Sequence, residues 1–265
     1  MNESTLSNRL QAVLKLVPTG FVFVDIGTDH AYLPIAAILS GIASRVIAGD
    51  VRNGPWQVAK QHIEQAGVEH LIEVRLGDGL DVVQAGEVDA VTICGMGGPL
   101  IRDILQQGYN SGKLQGVKRL ILQPNIGELT VRRWLRENAF VIIHEEWVEE
   151  DGYVYPILCA EPTENQFGGE SALDNQLIIC PDGCTQELRD AIADVEWQDR
   201  LGWLNLLRPS RGWWVKWSRE WNKGEAIIRS LHNAQSDESK ERLIRLEFEQ
   251  LILGEVLLRW KTLTE

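Results

Sequence analysis

Apolar residues in this chain follow two rhythms. Over residues 4–17, STLSNRLQAVLKLV, the positions Leu6, Leu10, Val13, Leu14 and Val17 recur at helical spacing, and Pro18 and Gly20 close the run. FVFVDIG follows as a continuous apolar stretch stopping at Asp25, the pattern of a strand covered on both faces. The alternation then repeats. YLPIAAILSG is a helix with Gly41 at its C-terminal cap, RVIAGDV a strand ending on Asp50, and GPWQVAKQHIEQAG a helix with Pro55 in its first turn and Gly67 at its close. LIEVRLGDGL is a strand running into Gly77-Asp78-Gly79, and VDAVTICGMGG a strand running into a glycine loop. LIRDILQQG, VKRLILQPN and TVRRWLRENA read as helix, strand, helix. FVIIHEEWVEE and YVYPILCA are two strands joined by Asp151-Gly152 instead of a helix, so one of them is predicted to run antiparallel to the rest.

The pattern predicts an α/β fold: a doubly wound, Rossmann-like parallel sheet with an antiparallel hairpin added at one side. A nicotinamide dehydrogenase would more often extend its βαβ units, so the hairpin favours a class I methyltransferase. From 161 to 185 the chain is rich in Gly, Pro, Glu and Asn, with NQLIIC as one further short strand. Three helices are predicted beyond it, at 186–206, 213–235 and 237–262. The last carries Leu243, Leu246, Phe248, Leu251, Leu253 and Leu257 as a broad apolar stripe. These helices make a small bundle or a long hairpin. Residues 1–185 are assigned to a methyltransferase domain and 186–265 to a helical domain.

Composition narrows the chemistry. The chain has 265 residues and a formal net charge of -12 at pH 7, so a nucleic-acid partner requires a local basic patch. The four cysteines, Cys94, Cys159, Cys180 and Cys184, fit neither a disulfide framework nor a zinc set and read as thiols of a reducing compartment. No metal site is expected. The N-terminus lacks a signal-peptide core and no apolar run is long enough to span a bilayer, so a cytoplasmic location is expected.

Ligands of such sheets bind beyond the strand ends. Asp25, Gly27, Thr28, Asp29 and His30 follow the first strand, Asp50 the second, Asp78 and Gly79 the third, Gly95, Met96, Gly97 and Gly98 the fourth, and Gln123, Pro124 and Asn125 the fifth. Singly, Asp50 also reads as a solvated strand end and Asp78 as a turn residue. Their recurrence at successive strand ends points to a nucleoside-type cofactor. Gly27 lets backbone pass close to it, Asp50 can accept both ribose hydroxyls, Asp78 the adenine amine, and Asp25 and Asp29 can hold an ammonium. Gly27-Thr28-Asp29-His30-Ala31 replaces the three-glycine loop and puts a carboxylate where a pyrophosphate needs N–H donors. That repels NAD and suits S-adenosylmethionine, which is cationic and carries no phosphate.

DIGTDHAYLPI, IAGDVRNGP, VRLGDGL, GMGGPLIRDIL and LILQPN, in this order and spacing, closely resemble the bacterial tRNA (adenine(22)-N(1))-methyltransferase family. The similarity covers about residues 4–160. It implies a class I methyltransferase domain with a helical, coiled-coil-like extension, and methyl transfer from S-adenosylmethionine to N1 of an adenine in tRNA. It also implies cofactor contacts at Asp25, Gly27, His30, Asp50, Asp78 and Gly79. Gly95 and Met96 fall on the cofactor side of the glycine loop. Asp29, Gly97, Gly98, Gln123, Pro124 and Asn125 fall on the substrate side. The chain departs from the family at GDVRNGP, where GEVNKGP is usual, at Tyr155-Pro156-Ile157, where Tyr-Glu-Ile is usual, and in its cysteine-bearing linker and Trp-rich helix.

Methylating N1 leaves a cation spread toward the exocyclic amine. Asp29 is the candidate to stabilise that charge, and Asn125 to hydrogen-bond the base edge. Gln123-Pro124-Asn125 resembles the [DN]PP[YF] loop of amino-group methyltransferases, without its aromatic. His30 reads equally as a base or as a neighbour that caps the next helix or orients Asp29. Tyr32 reads as a stacking ring or a core filler. The segment RPSRGWWVKWSREWNK holds Arg208, Arg211, Lys216, Arg219 and Lys223 against the single acid Glu220, so the first four are candidates for tRNA phosphate contact. Trp213, Trp217 and Trp221 recur every fourth residue and read as a packing stripe. Arg9 and Lys15 are further phosphate candidates, and Arg132, Arg133 and Arg136 read equally as a solvated helix face. The alternatives are a methyltransferase of another RNA site or a small molecule, a binding protein on the same fold, and an NAD-dependent dehydrogenase.

Overall fold

The computed structural model describes residues 6–163, 185–232 and 236–260, which fall into two compact units, Met1–Asn175 and Gln176–Glu265. The NQLIIC strand, Cys180 and Cys184 lie outside the described residues.

The first unit alternates as its sequence pattern predicts. Its elements are α1 (Asn8–Leu16), β1 (Val22–Ile26), α2 (Tyr32–Leu39), β2 (Arg45–Asp50), α3 (Asn53–Ala66), β3 (Ile72–Leu76), β4 (Ala90–Gly97), α4 (Gly98–Asn110), β5 (Arg119–Ile126), α5 (Glu128–Glu137), β6 (Phe140–Glu150) and β7 (Tyr153–Pro162). A 3-10 turn, Gly79–Val82, follows β3. The seven strands order as β3-β2-β1-β4-β5-β7-β6. Chain order reverses between β1 and β4, so the crevice for a ligand opens beyond Ile26 and Ile93, which pair in register. Phe23, Val24, Val46, Ile47, Val91, Ile93 and Leu120 through Leu122 are fully buried, as strands covered on both faces require.

β7 is antiparallel to both β5 and β6 and is inserted between them. Asp151 and Gly152 make the two-residue turn, both in the left-handed region (φ 49° and 78°), which matches the twist of a hairpin. Pro156 sits in β7 opposite Trp147, yet β5 pairs with β7 only from Leu158 to Ala160. The proline therefore occupies the part of β7 with a strand on one side only, where a missing N–H costs no ladder bond.

The second unit holds α6 (Gln186–Ala193), α7 (Val195–Leu201), α8 (Trp203–Leu207), α9 (Arg211–Leu231) and α10 (Asp237–Trp260). The single helix expected over 186–206 is three short ones. Asp194 is extended (ψ 130°) and caps α7, its carboxylate accepting from the N–H of Glu196 at 2.7 Å. Gly202 (φ 80°, ψ 110°) separates α7 from α8. The tryptophan stripe is packing, as expected. Trp213 is fully buried with its indole donating to the Leu201 carbonyl at 2.7 Å, and Trp221 donates to the Gln250 carbonyl at 3.3 Å. The apolar stripe of α10 is rotated from expectation: Leu253 and Leu257 are buried, whereas Phe248 and Leu251 are about half exposed.

Candidate functional site

Beyond the ends of β1 to β4 lies a cavity of about 1050 Å³ lined by Asp25, Gly27, Asp29, His30, Asp50, Asp78, Gly79, Gly95, Met96 and Asn125. Ten of the sequence-predicted residues thus converge on one space. Arg9, Tyr32 and His62 join them. Gly97, Gly98, Gln123 and Pro124 do not line it.

The loop after β1 is built from left-handed residues. Gly27 (φ 71°), Asp29 (φ 49°) and Ala31 (φ 57°) turn the chain sharply into α2, while the N–H groups of Gly27 and Thr28 donate to the Gly49 carbonyl at 2.8 and 3.1 Å. A side chain on Gly27 would meet Met96 Cε at 2.2 Å, so glycine is required twice over, by conformation and by space. Ala31 is fully buried at a positive φ, a combination that admits only a very small side chain. No side chain caps α2, so His30 is not its cap; its carbonyl meets His62 Nδ1 at 3.1 Å instead.

Asp25 and Asp50 are buried, and Asp29 and Asp78 are exposed on the cavity wall. Burial pushes the Asp25 carboxyl up to about 6, outweighing the Thr92 hydroxyl that donates to it at 2.6 Å. Asp50 accepts from the Arg52 N–H at 2.8 Å. Asp29 Oδ2 lies 3.8 Å from His30 Nε2. His30, Tyr32 and His62 stack on one another with ring centroids 5.2 to 5.6 Å apart. Tyr32 is 41 % exposed, so it is no core filler. Nδ1 of His30 is buried with no hydrogen-bond partner among the described residues. Cys94 also lines the cavity; burial pushes its thiol well up, so it stays protonated there.

The β4 and β5 ends are tied together from behind. Gln123 is fully buried and accepts from the Gly95 N–H at 3.0 Å, and Asn125 Nδ2 donates to the Gly95 carbonyl at 2.8 Å. Gly98 is buried too, and a side chain there would strike the Gly127 carbonyl at 2.0 Å. Gln123, Pro124 and Gly98 therefore support the surface, and Asn125 presents it.

Two residues escaped the sequence reading. His62 comes from the middle of α3, with no motif around it. Arg9, expected on the outside of α1 for phosphate, turns inward: its guanidinium donates to Gln123 Oε1 and Asn125 Oδ1, lies 3.6 Å from Glu150 and covers the Tyr155 ring at 4.9 Å. Arg132 is likewise no solvated face, because it is buried against a buried Glu145. In the second unit, Arg208, Arg211 and Arg219 are exposed, and Lys216 is half-buried 3.5 Å from Glu220. Against burial, which would raise it, Lys223 and Lys216 hold the Glu220 carboxyl below its usual value.

The residues suit a phosphate-free cationic nucleoside. Four carboxylates face one cavity, the β1 loop offers a carboxylate instead of a phosphate cradle, and Gly27 brings backbone to the wall. Among the described residues no cluster of three His, Cys, Asp or Glu could hold a metal, and no helix is long and apolar enough to cross a membrane.

Residues 23–251 match the profile of the tRNA (adenine(22)-N(1))-methyltransferase family, TrmK. The tRNA (adenine(22)-N(1))-methyltransferase of Bacillus subtilis is 50% identical over 161 residues, 61% of this chain and 67% of that protein. The crystal structure of the B. subtilis M1A22 tRNA methyltransferase TrmK superposes with a TM-score of 0.79 at 37% identity, covering 96% of this chain and 100% of that one. The structure of Streptococcus pneumoniae Sp1610 in complex with S-adenosyl-L-methionine gives a TM-score of 0.75 at 33% identity, covering 96% and 100%.

Proposed function

The chain belongs to the tRNA (adenine(22)-N(1))-methyltransferase family, and from that premise we infer how its cavity carries out the reaction. The activity is transfer of a methyl group from S-adenosylmethionine to N1 of adenine 22 in tRNA. The observation that carries the site reading is the convergence of Asp25, Asp29, Asp50 and Asp78 on one cavity at the strand ends.

Asp50 and Asp78 are assigned to the ribose hydroxyls and the adenine amine, as oxygen acceptors fixed at the ends of β2 and β3. Asp25, with Gly27 and His30, is assigned to the methionine end, where a buried carboxylate answers an ammonium. Gly79, Gly95 and Met96 complete that wall. Bound there, S-adenosylmethionine supplies a methyl group made electrophilic by its sulfonium. The protein's part is to hold N1 in line and keep water out. Asp29 stands exposed on the same wall, where it stabilises positive charge on the methylated base and accepts a proton from the exocyclic amine. Asn125 faces the base edge, with Gly97, Gly98, Gln123 and Pro124 shaping the wall behind it. The adenosine reaches the cavity turned out of its stack. Arg208, Arg211, Lys216 and Arg219 are assigned to tRNA phosphates, making residues 186–265 the docking domain. The cytoplasm is the compartment that holds this substrate.

The test is to incubate the purified chain with labelled S-adenosylmethionine and unmodified tRNAs, then map the modified nucleoside. Label in 1-methyladenosine at position 22 is expected; no transfer to any tRNA across a range of salt overturns the assignment. Deleting residues after 185 is expected to abolish tRNA methylation while S-adenosylmethionine binding persists.

A further inference from the structure

Arg9 holds a network whose polarity is fully determined. Its guanidinium has only donors, the Gly95 N–H only donates, and the Gly95 carbonyl only accepts. Arg9 Nη1 and the Gly95 N–H both point at one oxygen of Gln123, so that atom is the amide oxygen, and Gln123 Nε2 is the donor. Nε2 gives its hydrogens to the Pro124 carbonyl at 2.9 Å and to Asn125 at 3.3 Å. The Asn125 atom that receives it also receives Arg9 Nη1 at 3.3 Å, so it is Oδ1. Asn125 Nδ2 then donates to the Gly95 carbonyl at 2.8 Å. Neither amide can be turned over without facing donor to donor or acceptor to acceptor.

Both lone pairs of Asn125 Oδ1 are spent on protein. One N–H of its amide is committed to Gly95, and Asn125 is exposed and lines the cavity, so its second N–H is the hydrogen-bonding group that its side chain has left. We propose that Arg9 is a positioning residue that, through Gln123, locks Asn125 as a hydrogen-bond donor to a ring nitrogen of the target adenine. The base amine therefore finds no acceptor in the Asn125 side chain. Glu150, 3.6 Å from Arg9 Nε, and the Tyr155 ring hold the guanidinium in place from β6 and β7. Arg9 precedes residues 23–251, the part of the chain that matches the family profile.

The inference rests on reading residues 123–125 as the base-side loop, and the experiment separates the two. Arg9→Met, Arg9→Lys, Asn125→Ala, Asn125→Asp and the Arg9→Met, Asn125→Ala pair are assayed for kcat and KM on tRNA, S-adenosylmethionine affinity and melting temperature. Asn125→Asp keeps the shape and the acceptor but removes the donor. Expected are losses in kcat of about tenfold or more for Arg9→Met, Asn125→Ala and Asn125→Asp at assay temperatures below melting, partial recovery in Arg9→Lys, and a double variant no worse than Asn125→Ala. Full activity in Asn125→Asp, or independent, multiplying losses in the pair, overturns the proposal. So does full activity in Arg9→Met alongside an inactive Asn125→Ala. Full activity in Asn125→Ala instead removes the base-side reading itself, and the proposal with it.

Discussion

The Thr92 hydroxyl donates to the buried Asp25 carboxylate at 2.6 Å across the β1–β4 pair, at the reversal point of the sheet. Burial still dominates and lifts the carboxyl to about 6. If Asp25 answers the ammonium of the methionine end, as proposed, it must be ionised, so S-adenosylmethionine affinity is expected to rise with pH through 6. The ionised fraction implies binding about tenfold weaker at pH 5 than at pH 7.5. Asp25→Asn should bind weakly with a flat profile. Calorimetric titration at several pH values checks it, and a wild-type profile flat from 5 to 7.5 sinks the assignment. Stability moves the other way. The folded state holds its proton above the ordinary carboxylate range, so this group's contribution falls as pH rises from about 4 to 6. Asp25→Asn should remove that fall.

Gly27 and Met96 meet so closely that a methyl group on Gly27 has no space unless Met96 moves. Gly27→Ala also places a side chain at φ 71°, a cost of about 1–2 kcal/mol. Cofactor affinity should fall by tenfold or more. Because the clash is with the flexible end of Met96, adding Met96→Ala should recover part of the affinity but not the conformational loss. Binding titrations and melting curves on the single and double variants separate the two. Full recovery would mean that the left-handed turn carries no cost.

The strand ends were legible because β1, β2 and β4 are largely apolar runs stopped by an acid or glycine, and a parallel sheet puts such stops on one edge. Asp25 and Asp50 needed no more than that, and Asp78 stands in the glycine turn after β3. Arg9 was not legible: it sits on an amphipathic helix, where arginine normally faces water, and its partners Gln123 and Asn125 are 114 and 116 residues away. His62 has the same difficulty inside α3. In α10 the apolar letters misled by one position. The inward face runs through Leu246, Gln250, Leu253 and Leu257, and Gln250 is a polar letter within it. It is buried because its amide donates to the Trp221 carbonyl at 2.6 Å while its own carbonyl receives the indole. The break at Asp194 was readable in principle, since aspartate is a good N-cap, but helical periodicity continued across it.

Arg132 and Glu145 form an ion pair with both side chains essentially excluded from solvent, Nε to Oε1 being 3.0 Å. Arg132→Met takes the guanidinium charge away from the buried Glu145 carboxylate, and breaking a buried ion pair costs about 3–5 kcal/mol. Arg132→Met should therefore lower the melting temperature by many degrees, and Arg132→Met with Glu145→Leu should recover much of it. Thermal denaturation is the measurement. A double variant as unstable as the single one would show that packing against Trp147, and not the broken ion pair, sets the loss.

The arginines proposed to contact tRNA are best tested away from Lys216, because that residue pairs with Glu220 and reversing its charge would place two acids one helical turn apart. Arg208 and Arg219 are exposed on the second unit and carry the same basic segment. Arg208→Glu with Arg219→Glu should weaken tRNA binding and make its salt dependence shallower by roughly 0.7–0.9 in log K against log salt for each phosphate no longer neutralised. Methylation should fall through KM, with kcat at saturating tRNA and S-adenosylmethionine affinity unchanged, since the cavity residues Asp25, Asp50 and Asp78 belong to the first unit. Filter binding across salt concentrations reads the slope directly. If affinity drops while the slope stays constant, the arginines act by some route other than phosphate neutralisation, and the segment from Arg208 to Lys223 is not the docking surface.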